Sequence, residues 1–198
     1  MKNYCTIISL FILNFYFSQQ TESLKAIKEK YENAIKNTEE EYNKNISHNI
    51  SRQEKSILFS KKTKELRDLD FNRNRDYLNE ISKIKPSIIP LDSSKIIKNE
   101  IGEIIAVHPK GSEFFKKEFM ANFLGDEINA KGIIACKISF IIETDGSIQD
   151  VKAISDNEDF SKYAILAIYL TQEKWIPARL NGYPVRYRFS LPLTLNFE

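Results

Sequence analysis

The sequence predicts an α+β protein, in which a small β-β-α-β domain follows an extended, charged helical region. The first observation is a set of three runs after residue 131 in which every second side chain is apolar, the period of a strand with one buried face. The second is a run of apolar residues at helical spacing between the last two of these. The third is the absence of Gly and Pro from residues 21–85, where Lys, Glu, Asn and Ser dominate.

The first and second runs predict a β-hairpin. The apolar face of the first run consists of Ile134, Cys136, Ile138, Phe140 and Ile142. Asp145-Gly146 then predicts a tight turn into a shorter returning strand, Ile148 to Ile154. Cys136 is expected to be a small buried core residue, because it lies on the apolar face.

The third run alternates for longer than any other in the chain. Its apolar side chains are Val185, Tyr187, Phe189, Leu191, Leu193, Leu195 and Phe197. The side chains between them are mostly polar, namely Arg186, Arg188, Ser190, Thr194 and Asn196. Because Pro192 has no N–H to donate to a ladder, the run is expected to be an edge strand or to have that position facing away from the ladder. An edge strand can accept an extended peptide as an added strand.

Two helices are expected to pack on these strands. Ser155-Asp156-Asn157-Glu158 predicts a capping box, followed by Phe160, Ala164, Ala167 and Ile168 at helical spacing. Upstream, Ser112 is predicted to cap a short helix that Gly125 ends. Its phenylalanines recur every four residues, at positions 115, 119 and 123, and are interpreted as core packing rather than a ligand groove.

The first 20 residues have the layout of a secretory signal peptide, with Lys2 ahead of an apolar run from Cys5 to Phe17. This run is shorter than the roughly 20 residues that span a bilayer as a helix. Cleavage near Ser18 to Gln20 would place the protein in the periplasm. The alternative is a retained inner-membrane anchor.

Residues 21–85 predict two helices, or one long bent helix. One apolar stripe includes Leu24, Ile27, Tyr31 and Ile35, and an offset stripe includes Tyr42, Ile46 and Ile50. The region is interpreted as a solvated, coiled-coil-like spacer that partly self-associates, with a specific partner-binding helix as the alternative. Pro86 and Pro90 end it, and a linker is expected over residues 86–107.

The composition argues against several classes of function. A net charge of +2 in 198 residues lacks the basic excess of a nucleic-acid binder. His48 and His108 have no second histidine, cysteine pair or carboxylate at metal-ligand spacing, and no nucleophile elbow or phosphate loop is present. The sequence therefore predicts no enzyme activity, no metal and no cofactor.

The C-terminal residues 108–198 resemble the TonB C-terminal domain in its Bacteroidetes form. The resemblance rests on five short motifs that occur in the order expected for this domain: Gly132, Asp145-Gly146, Trp175-x-Pro177-Ala178, Asn181-Gly182-x-Pro184-Val185 and Leu191-Pro192-Leu193. Pro109-x-Gly111 followed by Phe114 and Phe115 is similar to the lead-in of such domains. Two departures are a charged helical region in place of a Pro-rich spacer, and a segment 124–130 without the usual Tyr-Pro.

This resemblance implies a cell-envelope protein that supports energy-dependent outer-membrane transport. It would bind the N-terminal box of an outer-membrane transporter by strand addition, coupled to inner-membrane proton-driven motor proteins if the chain is anchored. The binding edge would be formed by Val185, Arg186, Tyr187, Arg188, Phe189, Ser190, Leu191, Leu193, Thr194 and Asn196. The alternative is a secreted periplasmic adaptor or scaffold that docks partners without transducing energy.

Overall fold

The computed structural model describes residues 3–46, 50–84 and 103–198, with side chains from residue 22 onward. The chain divides into two compact units, residues 1–84 and 85–198. The described residues form four α-helices and two antiparallel three-stranded sheets, which confirms the α+β class.

The N-terminal unit contains two helices, α1 (Asn3–Ile46) and α2 (Arg52–Lys83). The helices are antiparallel, because Asp76 of α2 accepts a hydrogen bond from Tyr31 Oη at 2.7 Å while Lys61 near the start of α2 lies 3.7 Å from Glu41. A capping box of Ser51 and Glu54 opens α2. Of the two arrangements predicted for residues 21–85, the structure therefore has two helices rather than one long bent helix.

The seam of the helical hairpin is narrow. From residue 22 onward, the buried residues of α1 are Leu24, Tyr31 and Thr38, which are seven residues apart, and those of α2 are Asn74 and Tyr77. Among the described residues, no helix is long and apolar enough to span a membrane. The side chains of the predicted leader, residues 1–20, lie outside the description.

The C-terminal unit is built around β2 (Gly132–Ile142), the middle strand of the larger sheet. On one side it pairs with β3 (Ile148–Ser155), and on the other with β6 (Tyr187–Phe197). The smaller sheet has the order β1 (Glu103–Ile104), β4 (Ala178–Leu180), β5 (Tyr183–Val185). A bridge between Val107 and Ile176 continues it.

Two helices cover one face of the larger sheet. Helix α4 (Glu158–Tyr169) packs on β2 and β3, and α3 (Ser112–Asn122) packs on α4. Phe115 and Phe119 of α3 are almost completely buried, as is Phe123 just after it. The phenylalanine stripe is therefore core packing, as expected.

The start of α4 and both ends of α3 differ from the predictions. Helix α4 is capped by Asn157, whose Oδ1 accepts the Phe160 N–H at 2.8 Å, so the predicted box at Ser155 is wrong. The reason is that Ser155 still pairs with Cys136 in β3. In α3, Ser112 is the first helical residue behind Gly111, which has φ 84° and no side-chain cap. Gly125 does not end α3 but begins a 3₁₀ turn, Gly125–Glu127.

The predicted last strand is divided in two. Val185 lies in β5, where it pairs with Ala178, and Arg186 separates it from β6. The predicted edge residue Val185 therefore belongs to the smaller sheet. Most of the predicted linker, including Pro86 and Pro90, lies outside the described residues, while Glu103 to Val107 join the smaller sheet.

Candidate functional site

The candidate site is the outer edge of β6. All 11 residues of β6 are in register with β2, from Gly132↔Phe197 to Ile142↔Tyr187. No other strand among the described residues pairs with β6. The strand therefore presents one row of backbone groups that the described part of the chain leaves unpaired.

The side chains of β6 alternate between the two faces of the sheet, as the sequence predicts. Tyr187, Phe189, Leu191, Leu193 and the following odd positions are half-buried. The exposed positions are Arg188, Ser190, Pro192, Thr194 and Asn196. Phe189 packs β6 against the core, because its ring centroid lies 4.8 Å from that of Trp175 and 5.2 Å from that of Phe140.

Pro192 indicates which backbone groups point outward. It lies opposite Lys137 in a register without interruption, although its nitrogen carries no hydrogen. A missing donor leaves a ladder intact only where that nitrogen faces away from the partner strand. Because backbone direction alternates along a strand, Ser190 and Thr194 direct their N–H and C=O groups outward as well.

The hairpin turn is fixed to Trp175 beneath the site. The Trp175 N–H donates to the Gly146 carbonyl at 2.9 Å, and a Cβ on Gly146 would lie 2.0 Å from the Trp175 carbonyl oxygen. Asp145 Oδ1 accepts hydrogen bonds from the backbone and hydroxyl of Ser147. Three residues of the predicted motif, Asp145, Gly146 and Trp175, thus meet in one place.

The other motif residues lie in other strands and turns rather than on β6. Gly132 begins β2 with φ 79°, and Gly182 has φ 85° in the turn between β4 and β5. Pro184 pairs with Arg179 in the smaller sheet, and Pro177 immediately precedes β4. These residues therefore do not belong to the edge strand.

Arg186 is not part of the free edge. Its Nε and Nη2 bind both oxygens of Glu143 at 2.7–3.0 Å, and both side chains are mostly buried. Glu143 directly follows β2, so this ion pair holds the start of β6 to the end of its neighbour. Glu143 could not be identified as a partner of Arg186 from the sequence, because a spacing of 43 residues carries no local signal.

A second feature that sequence analysis missed is a buried imidazole. The ring of His108 lies 5.4–5.8 Å from the rings of Phe114, Phe115 and Trp175. Its Nε2 is 3.9 Å from Glu118 Oε2, and both atoms are buried with no hydrogen-bond partner among the described residues. Burial lowers the pKa of His108, and this effect is larger than that of the nearby Glu118 and Glu173 carboxylates, which raise the pKa.

The described residues offer little for metal or thiol chemistry. In the part of the chain that the structure describes, no group of three His, Cys, Asp or Glu side chains could hold a metal ion. Cys136 is buried on the core face of β2, and burial raises the pKa of its thiol. A raised pKa lowers the fraction of reactive thiolate.

Comparisons with family models, curated proteins and solved structures found no match for this chain.

Proposed function

We propose that the C-terminal unit binds an extended peptide by strand addition along β6 and so supports energy-dependent outer-membrane transport in the manner of a TonB protein. The observation that carries the proposal is the 11-residue edge strand, whose outer backbone groups have no partner among the described residues. Main-chain hydrogen bonds would supply affinity, and alternate side chains would supply specificity. The sequence resemblance supports the N-terminal box of an outer-membrane transporter as the peptide.

The core beneath β6 makes the edge a rigid template. Phe140, Trp175 and Phe189 form a cluster with ring centroids 4.8–5.7 Å apart. The ion pair of Arg186 and Glu143 fixes the beginning of the strand. A strand held in this way loses little conformational entropy when a peptide adds to it, which favours binding.

The proposal is tested by removing one outward N–H. Ser190→Pro is expected to weaken binding of a synthetic peptide copied from a transporter N-terminus about tenfold or more, because it removes a second outward donor next to the one that Pro192 already lacks. Fluorescence anisotropy of the labelled peptide measures the affinity. Ser190→Ala, which keeps the N–H, is the matched control and should bind like the wild type.

The fold of each variant is checked by the emission of Trp175, the single tryptophan of the chain. If Ser190→Pro folds normally and binds the peptide with unchanged affinity, β6 is not the binding edge.

The second candidate is a periplasmic adaptor that docks partners without transducing energy. It is favoured by the α1–α2 hairpin, which stands where a TonB protein has a Pro-rich spacer. The two functions differ in whether the N-terminus remains in the inner membrane.

A further inference from the structure

Several charged side chains in or beside the larger sheet are paired with side chains of opposite charge. Lys152 of β3 lies 3.0 Å from Asp150, and Arg186 is bound to Glu143. Asp150, at the β-bulge between Ser139 and Ile141, has φ 49° and a side chain that is only 11% exposed. These two ion pairs leave no net charge at their positions.

Two cations on the exposed face of the sheet, unlike Lys152 and Arg186, have no ion-pair partner among the described residues. Arg188 of β6 and Lys137 of β2 are exposed and have no carboxylate within ion-pair distance among the described residues. Arg188 lies opposite Ile141, and Lys137 lies between Ile154 and Pro192. Their cross-strand neighbours are therefore apolar and offer no compensating charge.

A peptide added along β6 would lie beside these cations. Side chains directly opposite each other on neighbouring antiparallel strands have Cβ atoms about 4.5–5.5 Å apart. A residue of the peptide that faced the exposed side of the sheet would therefore meet Arg188 directly. Lys137 lies one strand further from the edge, opposite Pro192 and four residues along the strand from the position opposite Arg188, and adds positive potential on the same face of the sheet.

We propose that the peptide recognised at β6 is acidic and places a carboxylate beside Arg188. This inference rests on the proposed function, since it assumes strand addition at β6. Hydrogen bonds along the backbone supply affinity that does not depend on the peptide sequence. Arg188 favours a peptide with negative charge, and the position of the carboxylate beside Arg188 fixes the register of the peptide.

The test uses three labelled nine-residue peptides of alternating Val and Thr. Two positions of the Thr face carry Glu in the first peptide, Gln in the second and Lys in the third. Near 10 mM salt, the Glu peptide should bind about two- to fivefold more tightly than the Gln peptide, and the Lys peptide should bind most weakly. The differences should largely disappear near 1 M salt, where the Debye length is about 3 Å.

Arg188→Glu should reverse the order of the Glu and Lys peptides. Lys117→Glu is the matched control, because it makes the same change in net charge at an exposed position of α3, on the covered side of the sheet. This control variant should keep the wild-type order. A reversal by both variants would mean that overall charge, not Arg188, governs the preference, and would overturn the inference.

The outcomes separate this inference from the proposed function. Equal binding of all three peptides, still abolished by Ser190→Pro, would refute the acidic preference while leaving strand addition intact. No binding of any peptide to the wild-type chain would count against strand addition itself.

Discussion

At the scale of single residues, His108 is a buried group whose protonation affects the stability of the C-terminal unit. Burial lowers its pKa below the usual value of about 6.5, so the folded state holds the neutral imidazole. Glu118 and Glu173 favour the charged form, and Lys110 opposes it. Because burial is the largest effect, protons bind more readily to the unfolded chain.

The stability of the C-terminal unit should therefore fall in mild acid. The contribution of neutral His108 is complete above about pH 6.5 and is lost as the pH falls through the lower pKa of the folded state. The urea midpoint, followed by Trp175 fluorescence, should drop more between pH 7.5 and 5.5 in the wild type than in His108→Phe. His48→Asn, which changes the other histidine, should behave like the wild type; an equal drop in His108→Phe would contradict the prediction.

For single residues, burial could be predicted from the sequence, whereas contacts between distant residues could not. Burial of Cys136 and of the phenylalanine stripe was predictable, because periodicity alone assigns a side chain to a face. The pairs Arg186–Glu143 and His108–Glu118 were not predictable, since their partners come together only when the strands and helices pack.

At the scale of elements, the β2–β3 hairpin turn is the part most sensitive to a small change. Gly146 combines φ 82° with a position whose Cβ would overlap the Trp175 carbonyl at 2.0 Å. Gly182 has a similar φ of 85° but open space around it. Alanine substitutions at the two glycines therefore distinguish the free energy of backbone strain, present at both, from that of steric overlap, present only at Gly146.

Gly146→Ala should destabilise the C-terminal unit by about 3 kcal/mol or more, because strain and overlap add. Gly182→Ala should cost only about 1–2 kcal/mol, the strain alone. Chemical denaturation followed by Trp175 fluorescence measures both. Similar costs for the two variants would mean that the hairpin turn can move away from Trp175.

Element types were easier to predict than element boundaries. The long alternation predicted β6, and Pro192 predicted that it lies at an edge. The alternation continued through Arg186, so it could not show that Val185 pairs with Ala178 in another sheet. The start of α4 was misplaced because Ser155 and Asn157 are both good capping residues, and only the pairing of Ser155 with Cys136 decides between them.

At the scale of the whole molecule, the division into two units raises the question of what the helical unit contributes. An energy-transducing protein needs a connection to the inner membrane, whereas an adaptor does not. The predicted leader decides between these functions, and its side chains lie outside the described residues.

If the protein transduces energy, the mature form from its own cell envelope should keep Met1 and resist extraction by salt. If it is an adaptor, its N-terminus should start near Gln19 or Gln20, and the protein should be found in the soluble periplasmic fraction. N-terminal sequencing and fractionation measure both properties. A cleaved, freely soluble protein would contradict energy transduction by this chain alone.

Pro192 has one more effect, on contacts between identical chains. An open edge strand invites the same strand of another molecule, and such pairing can continue into aggregates. With no hydrogen at its nitrogen, Pro192 interrupts the row of donors between Ser190 and Thr194. A peptide added along β6 lacks one hydrogen bond at Pro192, whereas two copies of β6 paired with each other lack two, so Pro192 weakens self-association more than it weakens peptide binding.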